Sequence, residues 1–150
     1  MDLHIELIPH PCWFINLRTQ VSKKDWDKIR HGVYDQQKMI CAKCHEKKEV
    51  LEAHEVWNYD EKAHVQKLVD IIGVCKKCHC VIHFGRTQMM GYGQDAIQHF
   101  LDVNHATMVD FEIERLQAQE KWLRRNKITD WKLDVSFVLN QGIVVKTNCP

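Results

Sequence analysis

An α+β fold in a single domain, residues 1–150, is the fold class that this sequence predicts. Two C-x-x-C pairs stand 30 residues apart, and the chain between them has the alternating pattern of two β-strands. The second pair runs into a short helical stretch, so the segment 41–85 predicts a ββα unit. We expect 1–40 and 93–150 to add an N-terminal helix, C-terminal helices and a terminal β-hairpin packed on this core.

The two pairs supply four cysteines at the spacing of a tetrahedral zinc site: Cys41, Cys44, Cys75 and Cys78. In such sites each pair gives two thiolate ligands, and the chain between them is free to fold. A redox C-x-x-C motif would need one pair on a βα unit and not two matched pairs. We therefore expect a structural zinc ion that clamps the two ends of the ββα unit.

The composition is that of a cytoplasmic domain. A hydrophobic content of 45% is enough to build a core. No apolar run approaches the roughly 20 residues needed to cross a bilayer, and charges at Asp2 and Glu6 interrupt the apolar stretch that a signal peptide requires. Seven cysteines, an odd number, suit a reducing compartment better than disulfides do. We expect a cytoplasmic protein with no membrane partner.

The N-terminal part predicts one strand and one helix. The apolar run 5–8 is stopped by prolines, so it predicts an edge strand at most. Ser22 followed by Asp25 is typical of a helix start with an acidic first turn. Apolar residues then continue at helical spacing, which predicts a helix over 23–36.

The chain between the cysteine pairs predicts a β-hairpin. Apolar and polar residues alternate over 50–57, so His54 and Glu55 are expected to point to opposite faces of the first strand. Polar residues at 58–61 supply a turn, and 65–74 is a second β-rich run.

A short helix is predicted directly after Cys75. It places His79 and His83, at positions i and i+4, on one face of the helix. Gly85 is expected to end it, because glycine is common just past a helix C-terminus.

The C-terminal third predicts helices followed by a hairpin. Apolar residues over 96–101 indicate a short amphipathic helix, and Thr107 caps a longer one. Four apolar residues are expected to form the inner stripe of that longer helix: Val109, Ile113, Leu116 and Leu123. Alternation over 131–137 predicts a strand, and Gly142 a turn into 143–145.

Basic residues gather near the two cysteine pairs although the formal net charge is only +1. They are Lys43, Lys47, Lys48, Lys76, Lys77 and Arg86. A rim of this kind binds phosphate groups, and we expect nucleic acid as the partner. A solvated charged face is an equally good interpretation of the charge taken alone.

The segment L-E-x-H-x-V, followed by a hairpin and V-C-x-x-C-H-x-x-x-H, resembles the HNH, or ββα-metal, endonucleases in their four-cysteine zinc variant. The resemblance covers about 40 residues. It extends more weakly, through PCW, WD and HEVW, to uncharacterised bacterial and phage proteins with an HNH label. It implies that a second divalent ion, Mg²⁺, Mn²⁺ or Zn²⁺, is held by His54, His79 and His83.

Two positions depart from the pattern of that family. The usual general-base histidine falls on Glu55, and the loop asparagine falls on Asp70. The resemblance implies that His54 and His79 act in catalysis with Glu55 as the base. A carboxylate with a pKa near 4.3 is a poorer base than an imidazole near 6.5. We therefore expect weak activity, or a pH profile unlike that of a histidine-based enzyme.

Three functions are consistent with these residues. The first is a metal-dependent nuclease that hydrolyses phosphodiester bonds of DNA, with RNA less favoured. The second is a catalytically impaired, zinc-stabilised factor, of phage type, that binds a host nucleic acid or a host protein. The third is a small zinc-stabilised interaction protein that binds no nucleic acid. The oligomeric state does not follow from the sequence.

Overall fold

The computed structural model describes residues 1–145 and has an α+β architecture with one three-stranded sheet. Its helices and strands in chain order are α1 (Leu17–Gln20), α2 (Lys23–Gln36), β1 (Glu52–Asp60), β2 (Val65–Val74), α3 (Lys76–Ile82), α4 (Phe84–Met89), α5 (Gly93–Asn104), α6 (Met108–Asn126), β3 (Lys132–Asp134) and α7 (Ser136–Leu139). A 3-10 turn at His10–Cys12 precedes them. No helix within 1–145 combines the length and the apolar character that a bilayer crossing requires.

The predicted hairpin is confirmed, because β1 and β2 pair in antiparallel fashion. His54 lies opposite Ile72 in this register, and a bulge between Val56 and Trp57 shifts the pairing. The first strand continues beyond the predicted limit to Asp60, whose carboxylate accepts hydrogen bonds from two backbone amides of the following turn. The hairpin therefore carries His54 at a fixed position in its first strand.

Helix α2 has the predicted bounds and packs directly on the end of β2. Its start is capped as predicted, since the Ser22 side chain accepts a hydrogen bond from the Asp25 amide. Just after the helix, the Gln37 side chain accepts a hydrogen bond from the Gly73 amide at 2.7 Å. A Cβ atom on Gly73 would lie 3.0 Å from Leu51 Cδ1, so glycine allows this close approach. The contact holds α2 beside the second cysteine pair.

The helix predicted after Cys75 is interrupted, which corrects the expectation that it continues to Gly85. Helix α3 ends at Ile82, and His83 leaves the helical region with φ −94° and ψ 45°. Helix α4 then begins at Phe84 and runs through Gly85. The Ile82 carbonyl accepts a hydrogen bond from the Glu6 amide at 2.8 Å, so the N-terminal segment binds the end of α3.

The edge strand predicted at 5–8 is wrong for the described chain, where this segment pairs with no strand. Its neighbouring amides bind side chains from the C-terminal helices instead. Asn104 Oδ1 accepts a hydrogen bond from the Leu3 amide at 3.1 Å, and Glu114 Oε1 accepts one from the Ile5 amide at 2.9 Å. The N-terminal segment is thus a strap across the helices, and the amides of Leu3, Ile5 and Glu6 have acceptors there.

The inner stripe predicted for α6 is also wrong. All four of its residues are exposed, from 49% for Ile113 to 68% for Val109: Val109, Ile113, Leu116 and Leu123. The buried face contains Phe111, Glu114 and Ala118. Two interactions explain which face of α6 is buried. The Phe111 ring packs edge-on against Phe84 and Phe100, and Glu114 binds the N-terminal strap.

The predicted C-terminal hairpin is replaced by a short strand and a helix. Strand β3 pairs with β2 in parallel, and α7 occupies the second half of the expected strand 131–137. The Asp134 side chain accepts a hydrogen bond from the Ser136 amide at 2.9 Å, which favours a helix start at this point. Residues 143–145 form no strand, and the remainder of the predicted hairpin lies outside the described residues.

Candidate functional site

The four cysteines of the two C-x-x-C pairs form one cluster. Their Sγ atoms all lie within 4.8 Å of one another, and those of Cys44 and Cys75 are 3.9 Å apart. A tetrahedral site with metal–sulfur bonds of about 2.3 Å places its sulfurs about 3.8 Å apart. The cluster therefore has the donor set and the spacing to bind a structural metal such as zinc.

The local backbone explains how the first pair forms a ligand loop. The Cys41 amide donates to the Glu46 carbonyl at 2.9 Å, and the His45 amide donates to the Cys41 carbonyl at 3.0 Å. His45 has a φ of 59°, in the left-handed region that closes such a turn. The amide of Cys75, at the start of α3, donates to Cys41 Sγ at 3.2 Å. This hydrogen bond joins the two halves of the cluster.

The cluster already favours a thiolate at one position. Hydrogen bonds from Cys75 and Cys78 lower the pKa of the Cys41 thiol, whereas burial raises the pKa of Cys44 to about 11. Thiolate is the form of cysteine that binds metals. Hydrogen bonding within the cluster therefore favours the metal-binding form at Cys41.

His99 on α5 contacts this cluster, with its Nε2 atom 3.2 Å from Cys78 Sγ. Sequence reasoning had given His99 no partner. Cys78 is 21 residues away on α3, and no short-range spacing predicts that α3 and α5 pack together. An imidazole in this position can donate a hydrogen bond to a metal-bound thiolate.

A second cluster is formed by the three histidines that the sequence singled out. His54 comes from β1, His79 from α3 and His83 from the junction between α3 and α4. One ring nitrogen of each lies within 4.8 Å of those of the other two, and the ring centroids are 4.8–5.5 Å apart. Imidazole nitrogens around one zinc ion lie about 3.4 Å apart. Small side-chain movements would bring the three nitrogens to that spacing.

Two carboxylates hold the rings of this cluster. Glu6 Oε2 is 3.1 Å from His54 Nε2, and Glu52 Oε2 is 2.5 Å from His79 Nδ1. An ionised carboxylate only accepts hydrogen bonds, so each imidazole donates at that nitrogen and keeps a lone pair on its other nitrogen. Carboxylates orient metal-binding histidines in this manner in many proteins.

Sequence reasoning missed both carboxylates. A period-2 argument could have identified Glu52, since residues two apart on a strand share a face and Glu52 precedes His54 by two. No local signal could have identified Glu6, which lies 48 residues before His54 and reaches it through the N-terminal strap.

A lowered pKa favours the neutral form of two histidines of this cluster, His79 and His83. Burial, together with the neighbouring imidazoles, lowers the pKa of His83 to about 3. Burial also lowers the pKa of His79, against the opposing effect of Glu52. Burial alone would raise the pKa of Glu6, but the hydrogen bond with His54 and the charges of His54, Lys43 and His83 together outweigh it, and the pKa is lowered. Neutral imidazole is the form of histidine that binds a cation.

Glu55 and Asp70, the two positions that depart from the HNH pattern, each accept a hydrogen bond from a backbone amide. Glu55 Oε1 accepts a hydrogen bond from the amide of Leu17, the first residue of α1, at 2.8 Å. Burial raises the pKa of Glu55, although this hydrogen bond opposes the effect. Asp70 is exposed, and its side chain accepts a hydrogen bond from the Ile71 amide. The role of Glu55 as a general base stays a prediction.

A cavity of about 520 Å³ opens beside the histidines and is lined by His79 and His83. Of the six basic residues predicted to form the phosphate-binding rim, two line it: Lys76 and Arg86. Four do not: Lys43, Lys47, Lys48 and Lys77. Arg18 and Arg30 also line the cavity, and the sequence pattern predicts no role for either residue. They come from α1 and α2, which pack beside the ββα unit.

The described chain therefore has two potential metal centres, a four-cysteine cluster and a three-histidine cluster that borders a basic cavity. No family of proteins, no curated protein and no solved structure matches the chain. The geometry of these two centres is consequently the basis for a functional assignment.

Proposed function

We propose that this protein is a metal-dependent nuclease of the HNH type that hydrolyses phosphodiester bonds of DNA. The observation that supports this most strongly is the convergence of His54, His79 and His83, of which His79 and His83 line a basic cavity. A divalent ion held there would stabilise the negative charge that develops on a phosphate during hydrolysis.

Each part of the site has a role in this proposal. The three histidines bind the ion, while Glu6 and Glu52 orient the imidazoles and fix the ring nitrogen that carries the proton. Lys76 and Arg86, on the cavity wall, bind the phosphate backbone of the substrate.

The four-cysteine cluster has a structural role. We propose that it binds one zinc ion, because four thiols at tetrahedral spacing form a closed site with no open coordination position. The ion would join the loop of the first C-x-x-C pair to the start of α3. His79 lies on α3 next to Cys78, so the structural ion would also fix the position of a catalytic-site histidine.

The base that deprotonates the attacking water is the weakest part of the site. The family pattern assigns this role to Glu55. Its carboxylate is bound to the Leu17 amide, and this interaction anchors the start of α1. Burial raises the pKa of Glu55, but one of its oxygens is occupied by the Leu17 amide, so we expect slow cleavage.

Cleavage of supercoiled plasmid in Mg²⁺ or Mn²⁺ tests this function. We expect slow nicking that stops when the divalent ion is chelated and returns when it is restored. Chelation must be brief enough to leave the cysteine-bound zinc in place, and zinc content measured on the same sample controls for its loss. An absence of nicking in every divalent ion, with the zinc retained, would reject the nuclease.

A catalytically impaired DNA-binding factor is the second candidate, and the contact between Glu55 and Leu17 favours it. Such a factor would retain DNA without cutting it, and retention would weaken steeply as the salt concentration increases. A protein that neither cuts nor retains DNA would fit the third function, an interaction module that acts on other proteins.

A further inference from the structure

The cavity beside the histidines is built partly from elements outside the ββα unit. Helix α1 contributes Arg18, and α2 contributes Trp26 and Arg30. His79, His83 and Arg86 also line the cavity. At about 520 Å³ the cavity falls in the range of small-molecule binding sites, about 300–1,000 Å³.

The charge of the lining is strongly positive. Four cationic side chains line the cavity: Arg18, Arg30, Lys76 and Arg86. Among the described lining residues the one carboxylate is that of Glu52, which is already hydrogen-bonded to His79. Among the described residues, Lys76 and Arg86 form no ion pair, so their charges are available to an anion.

Arg18 lies over the Trp26 ring, and both residues line this cavity. The Arg18 guanidinium carbon lies 4.9 Å from the centroid of the Trp26 ring, and Arg18 also donates to the Ala53 carbonyl at 3.3 Å. Arg18 is nevertheless exposed, so its guanidinium remains accessible. Nucleobases stack on planes of this kind, on guanidinium groups as well as on aromatic rings.

A duplex cannot use such a cavity, because its bases are stacked inside the helix and only its backbone reaches the protein surface. A nucleotide outside a duplex can place its base in the cavity while its phosphates meet the cations. We propose that the cavity is a subsite for one unpaired nucleotide of a DNA strand, with the base on Arg18 and the adjoining phosphate between Lys76 and Arg86. The next phosphate along the strand would then lie at the three histidines, and this placement rests on the proposed nuclease function.

Binding measured without added divalent ions separates this proposal from the nuclease activity. A short labelled single strand and its duplex are titrated with the zinc-containing protein, and fluorescence anisotropy gives both dissociation constants. We expect tighter binding of the single strand. Arg18→Gln should weaken single-strand binding roughly tenfold, in line with the loss of one base-stacking contact, and should change duplex binding much less. Arg115→Gln is the matched control, because it removes the same charge from α6, outside the cavity lining.

Cys80 provides a readout inside the cavity itself. This thiol is partly exposed and lines the cavity, so alkylation of Cys80, followed by peptide mass spectrometry, reports its occupancy. We expect the single strand to slow alkylation of Cys80 and the duplex to leave it unchanged. Equal binding of both DNA forms, equal effects of Arg18→Gln and Arg115→Gln, or alkylation unaffected by the single strand would each overturn the proposal, whether or not the protein cuts DNA.

Discussion

The Glu6 carboxylate lies 3.1 Å from Nε2 of His54, although Glu6 precedes His54 by 48 residues in the chain. Glu6 is held in place by its own amide, which donates to the Ile82 carbonyl, and by the neighbouring Ile5 amide, which binds Glu114. The N-terminal strap therefore connects the histidine cluster to α3 and α6. This connection makes the histidine site depend on residues outside the ββα unit.

Glu6→Gln should weaken divalent-ion binding at the histidines. The glutamine side chain can still contact His54, but the substitution removes the negative charge that holds the ring proton on Nε2. Losses of about 10- to 100-fold in metal affinity are usual for such partners. Isothermal titration with Mn²⁺ measures the effect. Glu112→Gln on α6 is the control, and equal affinities for the two variants would show that Glu6 does not orient His54.

Cys75→Ser should remove the structural zinc and much of the stability of the fold. Zinc sites of this kind contribute about 10 kcal/mol or more to folding in small domains. Elemental analysis and thermal unfolding measure the two effects. Cys80→Ser provides the control, since Cys80 lies close in sequence but outside the four-cysteine cluster. We expect this control to keep one zinc per chain and the wild-type melting temperature.

If wild-type protein purified without chelators contains no zinc, the structural site is wrong. The same conclusion follows if Cys75→Ser melts at the wild-type temperature.

The sequence predicted the elements whose signals are local. The Ser22 cap and the apolar period that follows gave the bounds of α2, and the two C-x-x-C pairs gave the cysteine cluster. Alternation gave the hairpin that carries His54. Each of these patterns depends on residues within one turn, one strand or one short motif.

The remaining features depend on contacts between distant segments. Helix α6 has apolar residues on two faces, and the sequence favoured the one that contains Leu116. The structure buries the face of Phe111 and Glu114, because Glu114 satisfies the Ile5 amide. Neither the hydrogen bond between Glu114 and the Ile5 amide nor the contact of Glu6 with His54 can be predicted from the local periodicity of the sequence.

Glu114→Leu should destabilise the fold by about 1–3 kcal/mol, because it leaves the buried Ile5 amide without an acceptor. Glu114→Gln keeps a carbonyl oxygen at this position and should cost less. Urea unfolding compares the two variants. If both lose the same free energy of unfolding, the hydrogen bond to the strap does not explain why α6 buries this face.

Glu55→Gln should leave DNA cleavage within about tenfold of the wild-type rate, which is less than the 10²–10⁴-fold that general-base catalysis usually contributes. Glutamine keeps an oxygen that can accept the hydrogen bond from the Leu17 amide. The negative charge that the substitution removes lies against the start of α1. Glu55→His tests the family pattern directly, and faster cleavage would show that the glutamate limits the rate. Complete loss of cleavage in Glu55→Gln would instead identify Glu55 as the base and contradict this expectation.

The rate of metal-dependent plasmid nicking in His79→Ala tests the histidine site most directly. His31→Ala, an exposed position on α2, serves as the control for loss of a histidine and for contaminating nucleases. Both variants are first checked for one bound zinc and a wild-type melting temperature. We predict that His31→Ala nicks DNA at the wild-type rate and that His79→Ala is slower by roughly 100-fold or more, the usual cost of losing a group that stabilises transition-state charge. Equal rates for His79→Ala and wild type would contradict the assignment of the three histidines as the catalytic metal site.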